Sequence, residues 1–329
     1  MSGAGGLASR VFRRLTNVWY PERFQGAHKQ RNYFEGYYCK VVDAELGVAV
    51  AFIPGLSYDA QGEGHAFVQV LDGVAGTAEY HRYPISEFSA GDTGFELCVG
   101  PHVFSDAGCH VRLPGYKIDF GFRQNRPWPR RWYSPGAMGP FSFVPAMECR
   151  HGVVSLHHQV VGKLNNQTLS PQAVGYIEKD WGRSFPRSWV WLQSSHLDGE
   201  TESCCLMVSS GRVPWLTGAF EGFIAALLLR GKLYRFTTYL GSRMTTSFSE
   251  SSVRLVFRTR NSELRIVAHH APGVDLVSPV PSDGMHGRVN ESLCAHAEVR
   301  FTKRGEVLLD TTARWMGFEV GGEQPDLGD

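Results

Sequence analysis

Apolar and polar side chains alternate along much of this chain. In AFVQVLDG (66–73), Phe67 and Leu71 fall on one side of an extended backbone and Val68 and Val70 on the other. In SVRLVFRTR (252–260), Val253, Leu255 and Phe257 alternate with Arg254, Val256 and Arg258. AEVRFTKRGEVLLDTTARW (297–315) reads as a hairpin turning around Lys303, Arg304 and Gly305. A period of two marks strands whose two faces meet different surroundings. Helical periodicity is confined to the first dozen residues and part of 217–229. Turn-forming residues collect at 124–140, 163–172 and 271–284, and the second of these predicts a boundary between two β units. The expected organisation is a basic N-terminal segment (1–18), an N-terminal β domain (19–170) and a C-terminal β domain (171–329). So many strands cannot lie in one flat open sheet, and they are expected to close into barrels or stack as sandwiches. Such folds commonly hold an apolar ligand in their interior.

Composition narrows the class. The chain has 329 residues, is 43% hydrophobic and 20% charged, and carries a net charge of +1, which gives no long-range attraction to nucleic acid. Its seven cysteines include no C-x-x-C spacing and suggest neither a disulfide framework nor a zinc site, so an intracellular, reducing location is expected, cytoplasmic or organellar and not secreted. No acidic residue precedes Glu22, and Arg10, Arg13 and Arg14 give the start of the chain the character of an organellar presequence, a membrane-surface helix or a frayed tail. PWLTGAFEGFIAALLL (214–229) contains Glu221 and is shorter than the ~20 residues a membrane span needs, so it reads as core or pocket wall.

The chemistry-bearing residues stand in two clusters. YIEKDWGRSFPRSWVWLQSS (176–195) places Glu178 and Asp180 on one strand face with Lys179 opposite, and Trp189 and Trp191 share a face. Two carboxylates this close drive one proton affinity up, which makes a usable general acid unless an arginine or lysine neutralises them as a structural ion-pair node. RNYFEGYYCKVV (31–42) sets Glu35 with Tyr33 and Tyr37 on one face and Phe34, Gly36 and Tyr38 on the other; Glu35 reads equally as a site acid or as an edge-strand partner of Lys40 or an arginine. Aromatic rings stabilise cations through their negative faces, so an acid in a dry, ring-lined cavity suits protonation of an unactivated alkene. Adjacent histidines at His157–His158 and His269–His270 point to opposite faces, so no metal is expected. Nucleotide-binding glycine motifs, G-x-S-x-G and H-E-x-x-H are absent.

The segments WYPERFQG (19–26), YFEGYYCK (33–40) and EKDWGRSFPRSWVWLQ (178–193), with IPGLS (53–57) and GKLYRFTTYLG (231–241), resemble the tocopherol cyclase family. The family's Trp in F-E-G-W-Y is Tyr37 here. The resemblance implies an all-β fold of two lipocalin-like β-barrel or sandwich domains with a few short helices. It also implies cofactor-free closure of a chromanol ring: a proton adds to the alkene of a prenylated quinol, and the phenol oxygen captures the cation. On that reading Asp180 or Glu178 donates the proton, the other keeping it protonated, and Glu35 orients or deprotonates the phenol. Tyr37, Trp181, Trp189 and Trp191 shield the cation, and Gln193 completes the substrate-binding set. The partner is a small apolar isoprenoid or quinol ligand, with peripheral membrane contact as one route of access. A non-catalytic carrier and an alkene hydratase are the alternatives.

Overall fold

The computed structural model describes residues 17–144, 147–215 and 218–322. Arg10, Arg13, Arg14 and the acidic tail beyond 322 lie outside the described residues. The described chain is nearly all strand, in two antiparallel sheets of twelve and eleven strands, with three short 3₁₀ turns. Neither strand order returns to its own start, so both sheets are open and the architecture is a pair of sandwiches, with no closed barrel.

Both sheets follow one plan: two meanders joined along a central pair of strands. In the first, Tyr33–Asp43 begins one meander, and Val174–Gly182 is inserted between it and the Cys149–Leu164 strand that ends the other. In the second, Ser188–Ser194 lies between Cys205–Trp215 and Glu306–Gly322. The two inserted strands are consecutive in the chain. EKDWGRSFPRSWVWLQ therefore runs through the centre of one sheet, crosses at 183–187 and enters the centre of the other. This crossing falls later than the boundary expected at residue 170, and Val174–Gly182 pairs wholly within the first sheet.

Sheets this wide curl, so each encloses a core on one face and offers the other to its neighbour. Tyr37, Phe52, Phe104, Ile118 and Ile177 fill the first core, and Leu192, Phe236, Phe257, Leu264 and Phe301 fill the second. A third cluster, with Tyr38, Leu71, Trp191, Met207, Ala226 and Leu293, lies between the sheets. Central strands are thus buried on both faces, and alternate residues serve different cores. Each fully buried large apolar side chain contributes roughly 1.5–3 kcal/mol.

Two local expectations are corrected. The stretch 218–229 is not helical: Gly218–Leu229 is a strand, because its apolar run is wanted by the second core on one face and by the inter-sheet cluster on the other. The turn-rich 271–284 contains the strand Val274–Val280, paired with Gly284–Lys303 despite Pro279. Among the described residues no helix is long and apolar enough to cross a membrane.

Candidate active site

A partly enclosed cavity of about 200 Å³ lies between the sheets. Alternation on three central strands decides what reaches it. On Tyr33–Asp43, the even positions Phe34, Gly36 and Tyr38 line it; on Val174–Gly182, Glu178 and Asp180; on Ser188–Ser194, Trp189 and Trp191. Cross-strand register then completes the walls. Glu178 is opposite Tyr38, and Asp180 is flanked by Gly36 and His151. On the facing sheet Glu319 lies between Trp191 and Glu291.

The first wall carries a proton-handling cluster. His151, 8% exposed, sits between two carboxylates, with Nδ1 3.1 Å from Asp180 Oδ1 and Nε2 3.4 Å from Glu178 Oε2. Burial alone would lower the imidazole; Glu178 and Asp180 overcome it and raise the ring to about 9, so His151 is a cation at neutral pH. Burial raises the Glu178 carboxyl to about 6, against the pull of His151 and with the push of Asp180. The Tyr176 hydroxyl donates to Glu178 Oε2. The Trp191 indole N–H, with no hydrogen-bond partner of its own, adds a further pull on Glu178. One ligand atom from each of His151, Glu178 and Asp180 lies within 4.8 Å of the others, a spacing a cation could also bridge. The imidazolium already supplies positive charge at that point.

The second wall is made by the indoles and two further acids. Gly317 and Gly321 flank Glu319, and each makes room for a ring: a Cβ at Gly317 would stand 2.7 Å from Trp191, and one at Gly321 would stand 2.1 Å from Trp189. The Trp189 N–H donates to Glu319 Oε1, and the Tyr38 hydroxyl donates to Glu291 Oε1 at 2.5 Å. Burial raises both acids, Glu291 to about 8 and Glu319 well above the carboxylate range, the latter helped by Glu291. Phe34, Phe67, Phe141, Phe185 and Met138 leave the remaining lining mainly apolar.

The structure does not bring all the expected site residues here. Glu35, Tyr37 and Trp181 face the other side of the first sheet, around Lys179. Lys179 and Glu35, 0% and 1% exposed, form a buried ion pair. Lys179 Nζ also reaches Arg23 O at 2.6 Å and Tyr37 Oη at 3.1 Å, and it lies 4.6 Å from the centroids of the Tyr37 and Trp181 rings. Glu35 accepts from the Gln25 backbone N–H at 3.0 Å and from the Tyr33 hydroxyl at 2.5 Å. This knot fastens WYPERFQG to the sheet and gives Glu35, Tyr37 and Trp181 a structural occupation, with burial lowering the lysine and Glu35 opposing it. Gln193 also misses the cavity lining: its side-chain oxygen and backbone carbonyl accept from Lys40 Nζ at 3.1 and 3.0 Å. Sequence reasoning missed His151, Tyr38, Glu291 and Glu319. For Glu319 a signal existed: GFEVGG is an apolar, glycine-rich strand with one acid in it.

The profile of tocopherol cyclase-like proteins matches residues 125–322, which holds the strands Val174–Gly182 and Ser188–Ser194 and every acid of the cavity. The chain belongs to the tocopherol cyclase-like family. Over 159 residues, 46% of this chain, it is 25% identical to a probable chloroplastic tocopherol cyclase of Oryza sativa subsp. japonica. A chloroplastic tocopherol cyclase of Zea mays is likewise 25% identical, over 162 residues. The match spans only 34% of each relative's length. In fold, this member of the cyclase-like family is similar to the crystal structure of CghA with Sch210972: TM-score 0.56, 11% identity, 88% of each chain covered.

Proposed function

We propose that the protein is an acid–base enzyme that uses no cofactor and cyclises a prenylated quinol or related isoprenoid to a chromanol-type ring. The observation that carries this reading is the Glu178–His151–Asp180 cluster, in which His151 is hydrogen-bonded to Asp180 and lies 3.4 Å from Glu178, opening into a cavity walled by Trp189, Trp191 and phenylalanines. Carboxyl groups in a dry, ring-lined space hold and move protons at neutral pH, and the rings shelter a tertiary cation from water. A cavity of about 200 Å³ is below the ~300–1,000 Å³ of most small-molecule sites, so it takes the reacting end of a long molecule or the whole of a small one. The tocopherol cyclases to which part of the chain is similar lend the substrate class.

The test is incubation with a prenylated hydroquinone, followed by chromatography and mass measurement. Cyclisation gives a product of unchanged mass and altered retention. A product heavier by one water would make the protein a hydratase, and recovery of the input alone would make it a carrier; either result overturns the cyclase reading.

A further inference from the structure

Cyclisation by protonation needs one group that gives a proton to the alkene and another that takes one from the phenol, and the two walls of the cavity differ in which they suit. On the first wall the His151 ring is held between the Glu178 and Asp180 carboxyls, and both carboxyls line the cavity. Among the described residues no cation on the second wall is hydrogen-bonded to Glu319, although Arg212 also lines the cavity. The groups facing Glu319 are the Glu291, Glu178 and Asp180 carboxyls, all of which disfavour a charge there, and the Trp189 N–H. Glu291, 2% exposed, meets the Tyr38 hydroxyl and the field of Glu178, with the buried Lys40 ammonium drawing its affinity the other way. That ammonium is committed to three oxygens, Gln193 O, Gln193 Oε1 and Trp315 O, at 2.7–3.1 Å.

Resting on the proposed cyclisation, we infer that Glu319, backed by Glu291, is the proton donor of this cavity, and that the Glu178–His151–Asp180 cluster on the facing wall is the proton acceptor. The substrate then lies between the sheets, with its alkene toward Glu319 and its hydroxyl toward Asp180 and Glu178. The geometry of Glu319 suits this task. Its Oε1 accepts the Trp189 N–H, so the transferable proton belongs on Oε2, and the same N–H stabilises the carboxylate left behind. Like charge on adjacent strands and burial keep the acid neutral. The sequence of bonds balances. Glu319 Oε2–H breaks as the alkene π pair forms a C–H bond, and the phenol oxygen bonds to the resulting tertiary carbon. The phenol O–H proton passes to a first-wall carboxylate. Return of that proton to Glu319 restores the resting state with no net uptake or release.

Two measurements on the full chain test this. Infrared spectroscopy of the ligand-free protein reads the C=O stretch of a neutral carboxylic acid. The inference requires that band at pH 7 in the wild type and its weakening in Glu319→Gln, where the Glu291 carboxyl still contributes; its absence from the wild type, or an undiminished band in Glu319→Gln, overturns the inference, whatever substrate the protein uses. The second is a pH–rate profile with a prenylated hydroquinone. Glu319→Gln should lower turnover on the order of 10²–10⁴-fold. Glu291→Gln, which removes the acid beside the donor, should move the alkaline limb to lower pH. A Glu319→Gln enzyme within about threefold of wild type, or an unmoved alkaline limb in Glu291→Gln, rejects Glu319 as donor. Failure of the wild type to convert any prenylated hydroquinone rejects the cyclase reading instead, and the infrared band still decides the protonation of the pair.

Discussion

Glu35 and Glu178 are both buried acids on adjacent central strands, yet they differ in which face of the sheet they occupy. Glu35 meets a lysine ammonium that neutralises it, whereas Glu178 meets an imidazole and the cavity. The alternation that separates Phe34, Gly36 and Tyr38 from Tyr33, Glu35 and Tyr37 is plain in the sequence, as is the pairing of Glu178 with Asp180. Which face turns toward the cavity is not, because that depends on how two distant sheets pack. The same limit hid His151: only the register of Cys149–Leu164 against Val174–Gly182 brings it opposite Asp180. Two outcomes follow at this scale. Asp180→Asn should lower turnover about 10²–10⁴-fold while circular dichroism and melting stay near wild type. Gly321→Ala forces a Cβ into the Trp189 ring, so the indole must leave Glu319; a cost of ~1–3 kcal/mol in urea unfolding should accompany loss of turnover.

At the scale of elements, the hairpin at 303–305 and the strand within 252–260 were readable because one face of each is apolar and turns punctuate them; the 66–73 strand, buried on both faces, was readable because Gln69 and the turn at Asp72–Gly73 interrupt its apolar run. The Gly218–Leu229 strand was not, since a residue run buried on both faces loses its period. The segment 17–26 has no strand or long helix of its own and is held by what it touches, chiefly the Glu35–Lys179 knot and Gln25, whose side chain donates to Asn17 O, Tyr20 O and Arg23 O. Removing one partner of a buried ion pair leaves a charge without compensation, which costs about 3–5 kcal/mol. Lys179→Met should therefore destabilise the fold by that order in urea titration, and adding Glu35→Gln should recover much of it. If the double variant is no better than the single, the knot does not act as a pair.

On the scale of the whole molecule, the two sheets are joined by a third core, and the acids of the cavity are the part of that interface that resists burial. Glu178, Glu291 and His151 all have folded proton affinities raised above their ordinary values, to about 6, 8 and 9. Each binds its proton more tightly folded than unfolded, so the stabilisation is complete below the ordinary value and is lost as pH rises through the folded one. Resistance to urea should thus fall between about pH 7 and 8, above the range in which burial lowers His65, His102, His157, His158 and His196 and makes stability rise with pH, each tenfold gain in proton affinity being worth about 1.4 kcal/mol. A Glu291→Gln variant should flatten that fall between about pH 7 and 8, and an unchanged slope would show that Glu291 ionises normally. Because the cluster at His151 is read as a carrier of protons, dialysis against a chelator should leave turnover unchanged; loss on chelation with recovery on adding a divalent cation would assign the same three residues to a metal.

The most direct test of an alkene-protonating site is turnover in heavy water. A prenylated hydroquinone cyclised by this cavity must take one deuteron onto carbon, giving a product one mass unit heavier than that formed in ordinary water and resistant to back-exchange, and Asp180→Asn should form almost none of it. Recovery of undeuterated starting material from the wild type, at the rate of a protein-free control, would contradict the account.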